Sequence, residues 1–202
     1  MKAIIDFEGI HGAGKTTQAV LLGKKLVAKG MPLEYISSSD KPFSRELMDM
    51  IDRHGSQDPE TLFFLSLANN HTLKERLNGA EKIFVLDRYI YTDMASTYAA
   101  GKSIDWIKSC LTQAKYPDIV LLLDLPPVQA LERRNFDSSK LERGGYQRGN
   151  PTADFIDYQT RLREAYLTIA KTDSLVFVLD GRKTREEIHG EVMEILEGKL
   201  KI

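Results

Sequence analysis

The chain has 202 residues, 42% of them apolar and 28% charged, which suits one domain with a continuous core and excludes a disordered or fibrous chain. Lys and Arg total 28 against 29 for Asp and Glu, so the net charge of -1 gives no overall attraction to nucleic acid or an anionic membrane, and any anion site must be local. Cys110 is the single cysteine, which rules out an intrachain disulfide and a Cys-rich zinc site and favours the cytoplasm; with Asp6 breaking the apolar opening and no run near the ~20 residues of a membrane span, the expectation is a soluble, unexported protein.

Along the chain, β-rich apolar runs alternate with segments of helical period, which predicts an α/β domain over residues 1–202 with a parallel sheet and helices on both faces. The five runs are 3–7, 33–36, 83–86, 119–123 and 175–179. After the first, Ala19, Leu22 and Leu26 share a helical face that Gly30 and Pro32 terminate. Asp58-Pro59 reads as an N-cap and first helical residue, opening one helix that carries Leu62, Leu65, Leu73 and Leu77 and ends at Gly79. On that helix Phe63 and Phe64 read as core and His71 as a solvated histidine, while Trp106 and Cys110 further on read as packing or interface residues. The stretch from Asn135 to Pro151, rich in Gly, Ser and charge, predicts a mobile surface loop. Phe155, Tyr158, Leu162, Ala165 and Ile169 then hold helical spacing, and Thr184-Arg185-Glu186-Glu187 is a capping box opening the last helix.

Between the first strand and its helix, Gly9-Ile10-His11-Gly12-Ala13-Gly14-Lys15-Thr16 matches G-x-x-x-x-G-K-[ST] in full. The mechanism needs that placement: glycines let backbone N–H groups turn toward phosphate oxygens, the helix N-terminus adds positive dipole, Lys15 reaches the β and γ phosphates, and the Thr16 hydroxyl can ligate Mg²⁺. ATP with Mg²⁺ is therefore the expected ligand of Gly9, His11, Gly12, Ala13, Gly14, Lys15, Thr16 and Thr17.

The third run ends in Asp87-Arg88-Tyr89, at the sheet edge where open α/β folds bind ligands. Asp87 suits the metal shell, and Arg88 suits a second phosphate; a turn cap and a surface ion pair are the plainer alternatives. Between 132 and 151, Arg133, Arg134, Lys140, Arg143 and Arg148 face Glu132, Asp137 and Glu142, five positive charges against three negative. That surplus reads as a lid over about 133–151, closing on a triphosphate.

At this point the chain resembles the thymidylate kinase family over nearly its whole length. The resemblance rests on Phe7-Glu8-Gly9 leading into the cradle, on Gly14-Lys15-Thr16-Thr17-Gln18, and on Asp87-Arg88-Tyr89 with Thr92 where the family often has serine. It continues through Leu123-Asp124-Leu125-Pro126, the Arg-rich loop and the helix around Tyr158-Gln159-Thr160-Arg161. It implies the three-layer P-loop nucleoside triphosphate hydrolase fold, a homodimer, and transfer of the ATP γ-phosphoryl group to the phosphate of dTMP. By the same resemblance Arg88 holds the acceptor phosphate, and because Gly12 stands where some members place a catalytic arginine, Arg134 and Arg143 become the candidates.

Three positions depart from the family pattern. His11 replaces an acid that takes a hydrogen bond from the acceptor's 3′-hydroxyl, a role neutral imidazole also fits. Lys41 or Arg45 stands in for an arginine after the second strand. Asn69 and Asn70 occupy the region of an arginine that reads thymine, and an amide can donate to O4 while accepting from N3–H. Two other readings stay open: a deoxynucleoside kinase in which Asp87 takes the proton of a 5′-hydroxyl, and a P-loop module that binds ATP as a switch.

Overall fold

The computed structural model describes residues 2–41, 43, 58–79, 81–139, 141–144 and 148–201. Arg45 and Lys140 lie outside them. The five apolar runs form strands β1 (Ala3–Glu8), β2 (Leu33–Ser37), β3 (Ile83–Asp87), β4 (Ile119–Asp124) and β5 (Val176–Asp180), all parallel, in the order β2-β3-β1-β4-β5. β1 and β3 are buried along their whole length, while the edge strands β2 and β5 are half-buried. This is what a sheet covered on both faces demands of its central strands.

The described helices are α1 (Lys15–Ala28), α2 (Pro59–His71), α3 (Lys74–Gly79), α4 (Ile90–Ala99), α5 (Ile104–Cys110), α6 (Pro127–Glu132), α7 (Pro151–Ala170) and α8 (Arg185–Leu200). Ala19, Leu22 and Leu26 are the buried face of α1, and the Gly30 N–H to Val27 O and Met31 N–H to Leu26 O bonds close its end, with Gly30 left-handed at φ 71°. Asp58 accepts from Thr61 N at 2.8 Å, and Thr184 and Glu187 complete the capping box of α8. No described helix is long and apolar enough to cross a membrane.

Two local readings are corrected. The helix opening at Pro59 is broken rather than continuous to Gly79, because Thr72 donates its hydroxyl to Asn69 O at 2.6 Å and Leu73 N bonds Asn70 O. Its inward face carries Phe63, Asn69 and Asn70, while Leu62 and Leu65 are only half-buried and Phe64 is exposed. The described part of the 135–151 stretch is no free loop either: a short 3₁₀ turn, Leu141–Arg143, is tied back to the body by bonds set out below.

Asp6 violates the ordinary rule for a central strand. It is fully buried in β1 with neither carboxylate oxygen hydrogen-bonded among the described residues, and burial, then the neighbouring Glu8, raises its pKa well above the ordinary 3.8. A raised folded-state value means its stability contribution is complete below the unfolded value and is lost as pH rises toward the folded one. Asp6→Val is therefore expected to stabilise the protein by about 1–3 kcal/mol, more at pH 8 than at pH 4. Thermal melts of both proteins across that range check it, and a lower midpoint for the variant at pH 8 would refute it.

Candidate active site at the carboxyl edge of the sheet

The register aligns Phe7 and Ser37 with Asp87 and pairs Asp124 with Asp180, so the strand ends form one edge beneath the loop from Gly9 to Gly14. That loop turns where side chains cannot: Gly9 has φ 133° and a Cβ on it would lie 2.5 Å from Leu123 O, while Gly12 has φ 84° and a Cβ would lie 2.5 Å from Ala130 O. α1 begins at Gly14 with no side-chain cap and no acid in its first turn, leaving its N–H groups and dipole for an anion.

Lys15 is buried, and its ammonium donates to Ile10 O at 2.7 Å. Burial and the Arg88 charge push its pKa well below the ordinary lysine value. Arg88 has a left-handed backbone at φ 72° and no side-chain hydrogen bond or ion pair among the described residues. Two cations thus press on one space, a pattern that an anion would relieve. Non-glycine strain at such a turn needs an outside constraint, and Glu8 supplies it. Fully buried at the end of β1, Glu8 accepts from Tyr89 N at 2.9 Å, Thr92 N at 3.0 Å, Thr92 Oγ1 at 2.6 Å and Tyr166 OH at 2.7 Å, pinning the first turn of α4 beside Arg88. Thr92, a candidate for substrate contact, gives its hydroxyl to Glu8.

Thr16 donates its hydroxyl to Asp87 Oδ2 at 2.5 Å, and Tyr35 OH donates to the same oxygen at 3.2 Å. The two expected metal residues are therefore brought together as a hydroxyl and a carboxylate, the hard oxygen donors Mg²⁺ prefers. Among the described residues no cluster of three or more His, Cys, Asp or Glu side chains could hold a metal, so further ligands would be phosphate oxygens and water.

A cleft of about 440 Å³ opens over the cradle, lined by Gly14, Lys15, Thr16, Arg133, Arg134, Lys183 and Arg185 among others. Arg134 crosses Gly12 closely enough that a Cβ there would come 3.2 Å from its Cδ. Its Nη2 bonds Glu142 Oε2 at 3.0 Å and its Nε bonds Asp137 O at 3.0 Å. Glu142 also receives Ser139 N at 2.7 Å and lies 3.0 Å from His11 Nδ1, while Gln159 donates to Glu142 O at 2.6 Å and accepts from His11 N at 3.1 Å. Burial, then Arg88, holds His11 at about 3, whereas the His11, Ser139 and Arg134 contacts outweigh burial and hold Glu142 at about 2. The pair is thus a neutral imidazole donating Nδ1–H to a carboxylate, which leaves His11 Nε2 a bare acceptor, the form its expected hydroxyl contact needs. Arg143 is not among the residues that line the cleft, and its Nε is buried without a partner among the described residues; Arg148 is paired with Asp154 and Asp157.

Asn70 is buried beside Asp93, donating Nδ2 to Asp93 Oδ2 at 2.5 Å. The donor half of the expected amide contact is therefore already taken. Arg133, counted with the lid from the sequence, bonds Gly181 O, whereas sequence reasoning missed Lys183 and Arg185 just after β5. The basic run Gly181-Arg182-Lys183-Thr184-Arg185 directly after a strand was a usable signal for them.

A family model described as thymidylate kinase matches residues 7–192. The chain is similar to the probable thymidylate kinase 1 of Saccharolobus solfataricus, 32% identical over 99% of this chain and 100% of that protein. It is also similar to the probable thymidylate kinases of Sulfolobus acidocaldarius, 29% identical over 96% of this chain and 95% of that one, and of Thermococcus gammatolerans, 28% identical over 99% and 98%.

Proposed function

Since the chain belongs to the thymidylate kinase family, we propose that it transfers the γ-phosphoryl group of ATP to the phosphate of dTMP, yielding dTDP and ADP. The observation that carries this reading is the pair of cations Lys15 and Arg88 next to carboxylates that are already engaged. All four of Glu8's accepted bonds are filled from protein groups, and Asp87 is held by Thr16 and Tyr35. A kinase acting on a neutral hydroxyl needs a carboxylate free to take its proton, whereas a phosphate acceptor is already an anion and needs a positive clamp.

In this reading the cradle N–H groups and Lys15 hold the donor phosphates, and Arg88 orients the acceptor phosphate for in-line attack. Thr16 and Asp87 would hold Mg²⁺, which supplies charge neutralisation on the donor phosphates when bound. His11 Nε2 takes a sugar hydroxyl of the acceptor, and Arg133 and Arg134 cover the donor as the inner part of a lid. A two-copy assembly belongs to the same reading, supported by the half-exposed Phe64 ring set edge-on to Trp106 at the surface.

An acceptor screen tests it. ATP and Mg²⁺ are mixed in turn with dTMP, dUMP, dCMP, dGMP, UMP, CMP and thymidine, and ADP release is followed. Release that depends on dTMP is expected. Phosphorylation of thymidine itself would replace the reading with a nucleoside kinase, and turnover indifferent to any acceptor would replace it with an ATP switch.

A further inference from the structure

The basic stretch contributes Arg133 and Arg134 to the cleft, and one carboxylate fixes the second of them. Glu142 is buried, and its two oxygens face different elements. Oε1 lies 3.0 Å from His11 Nδ1 in the cradle, while Oε2 accepts from Arg134 Nη2 at 3.0 Å and from Ser139 N at 2.7 Å. The turn that carries Glu142 is seated on α7 twice. Gln159, fully buried, donates to Glu142 O at 2.6 Å and accepts from His11 N at 3.1 Å. Gly144, at φ 64°, lies so near the Tyr158 ring that a Cβ there would come 2.5 Å from Cδ2.

We infer that Glu142 is a positioning residue that latches the lid turn to the cradle through protein contacts alone: its carboxylate joins His11 to Arg134, so the guanidinium stands over Gly12 without help from nucleotide. The inference rests on the kinase reading only for its effect on turnover.

Donor and acceptor rules give the latch its chemistry. An ionised carboxylate only accepts, so all three groups that approach Glu142 must donate. The Arg134 guanidinium and the Ser139 N–H can do nothing else, and His11 therefore presents Nδ1–H. Bonds to an ionised acceptor are about twice as strong as neutral ones. An acid at position 11 would instead set like charge against Glu142 and repel the turn. An amide at position 142 would still accept from Arg134 and Ser139, but its NH₂ would face His11, whose Nδ1 must then shed its hydrogen. The tautomer of His11 thus reports the state of the latch.

The consequence for Arg134 is preorganisation. Its Nε is held by Asp137 O and its Nη2 by Glu142, which fixes the plane of the guanidinium while the side chain passes Gly12. The rotamer freedom that a long basic side chain would lose on meeting a phosphoryl group is therefore lost already in the folded protein.

The test compares the wild type, Glu142→Gln and Gly144→Ala by ¹⁵N NMR of the imidazoles, by trypsin nicking after Arg134 and Arg143, and by steady-state kinetics with ATP and dTMP. The His11 signal is identified by its loss in His11→Asp, and thermal midpoints confirm folding. Wild-type His11 should be the Nδ1–H tautomer at pH 7, and nicking should be equally slow with and without ATP and dTMP. Glu142→Gln should shift His11 to the Nε2–H tautomer and speed nicking by about tenfold, because nicking follows the open population. Its kcat should fall by about tenfold with little change in ATP KM. Gly144→Ala lifts the turn and leaves Glu142, His11 and Arg134 in place, and it should speed nicking likewise. An unchanged tautomer or unchanged nicking in folded Glu142→Gln would overturn the latch, as would wild-type nicking that needs nucleotide to become slow. A higher kcat in that variant would overturn it too, since Glu142 would then be withholding Arg134 from the phosphate. If the tautomer and nicking behave as stated but the wild type uses no nucleoside monophosphate, the kinase reading fails and the latch stands. Should Glu142→Gln not fold, His11→Asp reads the same nicking, which must rise; wild-type resistance there refutes the inference.

Discussion

Lys15→Ala is expected to lower phosphoryl transfer by about 10³-fold or more while leaving the thermal midpoint equal or slightly higher. The two halves have one cause. Lys15 is buried with its ammonium donating to a single carbonyl, Ile10 O, and burial plus the Arg88 charge disfavours its charged form. Such a cation gives the empty protein little, so its removal costs no stability. With nucleotide in the cradle the same charge follows the migrating phosphoryl group in a site sheltered from water, where losing it costs several kcal/mol of transition-state stabilisation. Steady-state kinetics and a melting curve on one preparation decide the matter. A variant with near wild-type turnover would remove the cradle from the mechanism, and one that lost both activity and fold would make Lys15 a structural residue.

Arg134→Ala is expected to lower kcat by ~10² with only modest changes in the KM of either substrate. Lys15 is the cradle's own basic side chain, and Gly12 is bare, so the positive charge that in-line transfer between polyanions requires must enter from outside the loop. Arg134 enters there, over Gly12, with its guanidinium tethered by Glu142, which is itself held by His11 and Ser139. Arg148 is occupied by Asp154 and Asp157, so Arg148→Ala serves as a matched control from the same basic stretch and should change kcat little. Equal effects of the two substitutions would mean that the stretch acts only through its summed charge, and a wild-type kcat for Arg134→Ala would place the catalytic charge elsewhere.

Charge counting could find the basic stretch but could not rank its arginines, since all five bases look alike in a flexible-looking run of Gly, Ser and Asn. What separates them is who lies opposite. Glu142 meets His11 and Arg134 only because α7 carries Gln159 to the cradle, where it bonds both His11 N and Glu142 O. Arg133 finds its carbonyl at Gly181 only because β4 and β5 pair, bringing Asp124 and Asp180 side by side. No local period encodes such contacts.

Sequence alone determined the elements whose requirements are local. Glycines at 9, 12 and 14 followed by Lys15 and Thr16 specify the cradle because its positive φ values, its helix start and its ligands lie within one short segment. Apolar runs announced five strands, and an acid at the end of the third announced Asp87 at the site edge. Tertiary structure alone decided the strand order, the four bonds that make Glu8 a clamp on the Arg88 turn, and the bond of Asn70 to Asp93. Each of these depends on which residues a crossover or a helix packing brings together. A hydrogen bond between remote positions leaves no trace in the periodicity of either segment, so it becomes visible only once the fold has set them face to face.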